Sequence, residues 1–271
     1  MSYIVILVFA FIQGFTEFLP ISSQGHVIFF GNFINFSEIP IREVNILVHS
    51  GSLIAVITYH IKSLFHLALS VKNLFRPDID SRTKLLSNLF FSTIPLVVVG
   101  YFSARFISEN LLESLLIIGV NSIFFGFLLY FVDVNCLRIK ELNQLTTKSS
   151  IYIGLFQSLA IFPGSSRSGM VMTGMRLFGY NRKDCVIFSN LLSIPAILGA
   201  LIFLVLDTDY YSNSLLLYEK SLLLIFSFIF SIIFIHFLIN WVKKSSLSIF
   251  VAYRLLFGIF LIGVAYNIIQ F

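Results

Sequence analysis

Charge is what this chain has least of. Only 11% of its 271 residues are Asp, Glu, Lys or Arg, against about 25% in a soluble domain. So few charged side chains cannot coat a surface that faces water. Cysteine is nearly absent: Cys136 and Cys185 are the two present. Neither has CxxC or metal-ligand spacing, which excludes a disulfide scaffold and leaves both as small hydrophobes. No basic run exceeds a pair such as Lys243-Lys244, so the net charge of +5 reads as basic loops beside a membrane, not as nucleic-acid binding. Met1–Phe11 has no Lys or Arg before its apolar run and no small-residue cleavage site after it, so the start is expected to be structural and not a removed signal.

What fills the space is apolar. Hydrophobic residues make up 58% of the chain, with 32 Phe, and the mean hydropathy is +0.94. The expected class is an all-α polytopic membrane protein, one integral domain over 1–271. At about 20 residues per spanning helix, six stretches are long enough to cross a bilayer: Ile46–Ile61, Leu85–Ser103, Ser114–Val132, Val186–Leu206, Ser221–Trp241 and Leu247–Ile269.

Two further apolar regions are interrupted. Tyr3–Leu19 stops at Pro20, Ser22, Ser23 and Gly25, and Val27–Phe36 follows. Ile151–Phe162 stops at Pro163, Gly164 and a Ser/Arg cluster, then resumes as Met170–Phe178. At roughly 1.5 Å rise per residue, most of these halves are too short to span. They predict two re-entrant helix–loop–helix hairpins, whose exposed backbone must be buried in protein or line a wet cavity.

Loop charge sets an orientation. Lys62, Lys72, Arg76, Arg82, Lys84, Arg138, Lys140, Lys148, Arg176, Arg182, Lys183, Lys243 and Lys244 are expected on the cytoplasmic side, and Asp207, Asp209 and Glu219 outside. Six spans then put both termini outside, with the hairpins entering from opposite faces. Aligning Pro20 with Pro163 sets Ser22-Ser23 on Ser165-Ser166, Gln24 on Arg167 and Ser50 on Ser193. This reads as an inverted repeat with halves near 1–132 and 133–271.

Ionisable groups inside a membrane are costly and mark function by default. Glu17 and His26 flank the first break, and Arg167 lies in the second. Gln13 and Glu17 share one helix face; Ser23 and His26 share another just beyond the break. In Pro163-Gly164-Ser165-Ser166-Arg167-Ser168-Gly169, Pro163 ends a helix and Gly164 allows a sharp turn. Ser165 or Ser166 then caps the next helix, whose free N–H groups face the cavity. A helix N-terminus, hydroxyls and a guanidinium make an anion site, for phosphate above all. Arg254, inside the last span, reads as a snorkelling or packing residue, with a substrate contact as the alternative. Of the scattered histidines, His49 alone lies close to the repeat.

Gln13-Gly14-Phe15-Thr16-Glu17-Phe18-Leu19-Pro20-Ile21-Ser22-Ser23-Gln24-Gly25-His26 resembles the first signature of the bacitracin-resistance family of undecaprenyl-diphosphate phosphatases. Pro163-Gly164-Ser165-Ser166-Arg167-Ser168 resembles the second, and Tyr253-Arg254 in the last span is also similar. The resemblance covers the whole chain. It implies hydrolysis of undecaprenyl diphosphate to the monophosphate carrier of envelope polymers, in the bacterial cytoplasmic membrane. It implies catalytic Glu17, Ser23, His26 and Arg167, with Gln13, Ser22, Gly164, Ser165, Ser166 and Ser168 on substrate. It also implies a divalent cation, Mg²⁺ or Ca²⁺, held by Glu17 and Gln13. The expected partners are a polyprenyl diphosphate and membrane lipids, without nucleic acid, and a homodimer is left open. Gln13 replaces a frequent Glu, Gln24 a common Thr, and Val171 a usual Thr. Three groups stay open as attacking centre or base: His26, Ser23 and an activated water. The rival class is a secondary transporter or flippase of a lipid phosphate, since broken helices in inverted repeats also build transporters.

Overall fold

The computed structural model describes residues 1–33, 41–73, 80–106, 114–206 and 215–269. Eleven α-helices occur among them: α1 (Tyr3–Phe18), α2 (Ser23–Phe33), α3 (Ile41–Tyr59), α4 (Ile61–Ser70), α5 (Ser81–Phe106), α6 (Leu115–Asn135), α7 (Thr147–Ser158), α8 (Arg167–Leu177), α9 (Arg182–Leu206), α10 (Leu217–Lys244) and α11 (Ser248–Ala265). No strand forms among the described residues; one isolated bridge joins Lys140 and Tyr180. Five helices are long and apolar enough to cross a membrane, and six if α3 and α4 count as one span. This is a multi-pass membrane protein.

The local causes are those the sequence suggests. Ser2 caps α1, its Oγ accepting from Val5 N at 3.4 Å. Pro20 disfavours helical geometry at Leu19, which is extended at ψ 149°. Thr146 and Ser149 form a capping box that starts α7. α8 opens on Ser166, whose Oγ accepts from Gly169 N at 3.3 Å.

The expected spans need adjustment. The stretch at Ile46–Ile61 is part of a longer helix that bends by 77° between Tyr59 and Ile61. The last span stops at Ala265, short of Ile269. The half-helix expected at Val27–Phe36 begins earlier, at Ser23, and its residues beyond 33 lie outside the described ones. So do Arg76, Asp207 and Asp209.

The two interrupted regions sit at the centre. Phe18, Leu19 and Ile21 of the first break share the largest buried cluster with Val171, Met172 and Met175 of α8 and with Phe188, Leu192 and Ile235 of the surrounding helices. α8 is enclosed almost throughout, Ser168 to Arg176 being buried. Its backbone is therefore covered by protein on all sides. Elsewhere small residues set the spacing. A Cβ on Gly119 would lie 2.8 Å from the Gly258 carbonyl, and one on Gly258 2.7 Å from that of Gly119. Only glycine lets α6 and α11 cross so closely.

One buried ionic knot fixes the far end of α8. Asp133, 1% exposed, accepts from Arg176 Nε at 3.0 Å and from Arg182 Nη2 at 2.6 Å. Arg176 also donates to the carbonyls of Cys136 (2.8 Å), Leu137 (2.7 Å) and Tyr180 (2.6 Å). The sequence reading missed this knot, although an acid at the end of an apolar span, with arginines at the facing ends of two neighbouring helices, was a usable signal.

Candidate active site

Both helix breaks end in a strained serine. Ser22 has φ 74° and Ser166 φ 70°, in the left-handed region that costs L-residues roughly 1–2 kcal/mol. Each immediately precedes its helix, so the structure equates Ser22-Ser23-Gln24-Gly25 with Ser166-Arg167-Ser168-Gly169. This corrects the alignment on the prolines by one residue. Gly164 is the extra residue: at φ 88° it turns the chain so tightly that a Cβ would sit 2.4 Å from the Ile118 carbonyl. Arg167 is therefore the counterpart of Ser23, not of Gln24, which is exposed.

The two breaks meet. Ser168 Oγ, from the second, donates to the Leu19 carbonyl of the first at 2.7 Å and lies 3.2 Å from Ser166 Oγ. Arg254 is 0% exposed and does not snorkel. Its Nη2 donates to the carbonyls of Gly164 and Ser165, both at 2.9 Å, and Nη1 to that of Pro20 at 3.4 Å. Nε reaches the Ser122 carbonyl at 3.2 Å. One guanidinium thus ties both breaks to α6.

Glu17 lies at the junction, 8% exposed. Its Oε2 accepts from Gln13 Nε2 at 3.1 Å and from Ser23 Oγ at 3.2 Å. Its Oε1 lies 3.5 Å from Arg167 Nη2, and Arg167 also donates to the Ser189 carbonyl at 3.2 Å. The α2 and α8 residues aligned by their caps, Ser23 and Arg167, thus address the same carboxylate. The imidazole nearest Glu17 is that of His49 on α3, with Nε2 3.8 Å from Oε2.

His26 faces elsewhere. Its Nδ1 is 2.7 Å from the Ser22 carbonyl and its Nε2 2.6 Å from the Tyr253 hydroxyl. A carbonyl only accepts, so Nδ1 carries the proton and Nε2 accepts from Tyr253. The ring stacks on Phe257 at 4.0 Å between centroids. The remaining expected residues divide in the same way. Gly164 and Ser165 present their carbonyls to Arg254, and Ser166 and Ser168 bond within the junction. Ser165 Oγ, Arg167 Nε and Gln13 Oε1 are buried without a hydrogen-bond partner. Val171 belongs to the hydrophobic core, while Thr173 bonds back to the Gly169 carbonyl at 2.8 Å.

Among the described residues no group of three or more His, Cys, Asp or Glu could hold a metal ion. A cation here would have one carboxylate, Glu17, and the unpartnered amide oxygen of Gln13. Both are hard donors, and Mg²⁺ commonly takes one or two carboxylates with substrate phosphates and water completing its shell. The residues present fit that pattern.

Comparison with known proteins adds the decisive observation: the family profile described as "Bacitracin resistance protein BacA" matches residues 6–260. The chain belongs to the BacA family. Similar curated BacA relatives are named undecaprenyl-diphosphatase. The one from Alteromonas mediterranea is 37% identical over 266 residues, 95% of this chain and 97% of that protein. Those from Pelagibacter ubique and Erythrobacter litoralis are 36% and 34% identical, covering 98% and 95% of this chain and 99% and 98% of theirs. The BacA match spans both breaks, and with them every site residue named above.

Proposed function

We propose that the chain hydrolyses the phosphoanhydride of undecaprenyl diphosphate, releasing phosphate and the monophosphate lipid carrier for cell-wall synthesis in the bacterial cytoplasmic membrane. The supporting observation is the shared junction, with Glu17 and Arg167 from separate breaks 3.5 Å apart and the start of α8 beside them. The relatives named undecaprenyl-diphosphatase point the same way, and they do not favour the transporter reading.

In this reading Arg167, Ser23 and the free N–H groups at the starts of α2 and α8 receive the terminal phosphoryl oxygens. Positioning and charge neutralisation supply most of the rate in phosphoryl transfer. Ser23 is the hydroxyl already donating to Glu17 Oε2. Glu17 accepts the proton as the Ser23 oxygen forms a bond to the terminal phosphorus and the monophosphate lipid leaves. Water then cleaves the phosphoserine, and Ser23 recovers a proton. His26, with both ring nitrogens engaged, orders the start of α2 instead. Glu17 and Gln13 would hold Mg²⁺ or Ca²⁺, which when bound offsets the negative charge of the diphosphate.

The same reading makes the breaks two re-entrant hairpins of an inverted repeat with both termini outside. It draws on the paired strained serines and on packing partners that exchange between halves: α1 lies against α10 as α7 lies against α5. The test is phosphate release from a polyprenyl diphosphate by detergent-solubilised protein, without any gradient. Glu17→Ala and Arg167→Ala should each abolish it. Wild-type turnover in either variant overturns the assignment.

A further inference from the structure

We propose that the basic cluster around Asp133 binds the phosphodiester headgroup of an anionic phospholipid, at the membrane boundary and apart from the junction of the two breaks. The inference does not depend on the hydrolase reading.

The first observation is an imbalance of charge. Asp133 is the one carboxylate that Arg176 and Arg182 share, at 3.0 and 2.6 Å. A third guanidinium joins them. Arg138 Nη2 donates to the Asp133 backbone carbonyl at 3.0 Å, the same oxygen that accepts from Arg176 Nη2 at 3.2 Å. Two like charges therefore converge on one atom. Arg176 directs its donors inward, to the Asp133 carboxylate and four backbone carbonyls. Arg138 is exposed and makes that single hydrogen bond among the described residues, so most of its fork stays open. Asp184, the next acid, already accepts from Leu142 N and Asn181 Nδ2. Residues 133–148, 176–184 and 243–244, which meet here, hold eight Lys or Arg against three Asp or Glu. Such an excess attracts an anion, and guanidinium forks match phosphate oxygens.

The second observation is where the cluster lies. Asp133 is in the last turn of α6 and Arg182 opens α9. Arg182 Nη1 also donates to the carbonyl of Ser245, just past α10, at 3.3 Å. All three helices are long and apolar enough to cross a membrane. Lipid headgroups begin where spanning helices stop, and basic pockets between those helix ends suit anionic ones.

The third observation separates a lipid from a free anion. The segment that carries Arg138 reads Leu137-Arg138-Ile139-Lys140, and Leu137 and Ile139 are 69% and 73% exposed. Bare apolar side chains on either side of a guanidinium can cover the acyl chains of a bound headgroup. A site for inorganic phosphate gains nothing from them.

The experiment is native mass spectrometry of the detergent-solubilised full chain, titrated with phosphatidylglycerol, phosphatidylcholine or inorganic phosphate. Melting temperature is the second readout. Wild type should retain phosphatidylglycerol about tenfold better than phosphatidylcholine and melt higher in its presence. Arg138→Gln changes an exposed side chain and should weaken that retention by about five- to tenfold. Ile139→Ser should weaken it by about threefold and respond to inorganic phosphate as wild type does. Lys62→Gln, at an exposed base on α4, is the control and should retain phosphatidylglycerol like wild type. Equal retention of the two lipids by wild type, or undiminished retention by Arg138→Gln, overturns the site. So does inorganic phosphate that raises the melting temperature as much as phosphatidylglycerol, because the occupant is then a free anion.

Discussion

The hydroxyl of Ser168 donates to the backbone carbonyl of Leu19 at 2.7 Å. This single bond joins residues 149 positions apart and ties the start of α8 to the end of α1. Leu19 stands just past the end of α1, and its carbonyl also accepts from Ile21 N at 2.8 Å, so Ser168 takes the second lone pair of an acceptor at the break. Arg254 reinforces the junction from the α11 side through the carbonyls of Pro20, Gly164 and Ser165.

Ser168→Ala should therefore leave the Leu19 carbonyl buried without a side-chain donor. The carbonyl keeps its bond from Ile21 N, so the expected loss is about 0.5–1.5 kcal/mol, read as a lower melting temperature in detergent. Turnover should fall with it, because Glu17 and Arg167 are carried by the two elements the bond holds. Unchanged stability together with unchanged turnover would show that the junction does not depend on Ser168.

Asp133→Ala should be more damaging than any single change at the site. It strips the counter-charge from Arg176, which is 0% exposed, and leaving a buried charge unpaired costs about 3–5 kcal/mol. Thermal melting and protease resistance measure this. Replacing both Asp133 and Arg176 with apolar residues of similar volume should recover part of the loss.

Gly164→Ala sets two penalties on one residue: a left-handed φ and a Cβ 2.4 Å from the Ile118 carbonyl. The positive φ alone costs roughly 1–2 kcal/mol, and the backbone clash adds to it. Gly199, whose Cβ would meet nothing within 4 Å, is the control: Gly199→Ala should leave the melting temperature unchanged or raise it.

Ser23→Ala and Tyr253→Phe separate Ser23 from His26 among the three candidate attacking groups. Ser23 carries the proton that Glu17 accepts, so its loss should lower kcat by at least about 10²-fold. Tyr253→Phe keeps the ring against His26 and removes only the hydroxyl donor to Nε2. It should change kcat by no more than about threefold, roughly the effect of one hydrogen bond of about 0.6 kcal/mol. The reverse ranking would move the chemistry from Ser23 to His26.

Much of the architecture was legible because its causes are local. Long apolar runs announce spans wherever they fold, and Pro20 and Pro163-Gly164 interrupt helices through their own covalent geometry. The rarity of charge in such a chain also singled out Glu17 and Arg167, which the structure brings within 3.5 Å of each other. Register across the breaks was not legible. The prolines suggested one alignment, but the backbone counts from the strained serines, and Gly164 shifts the second motif by one residue.

The amino-acid sequence alone thus determined the class of protein and the two breaks at Pro20 and Pro163-Gly164, since each depends on near neighbours and on hydrophobic free energy summed along the chain. Tertiary structure alone decided which of those residues meet. His49, 32 positions from Glu17, reaches its carboxylate while His26, only 9 away, turns to Tyr253. Arg254 became the tie between the breaks and not a snorkelling charge. These outcomes depend on how α3 and α11 pack against the two breaks, and contacts between distant helices leave no periodicity or motif in the chain that forms them.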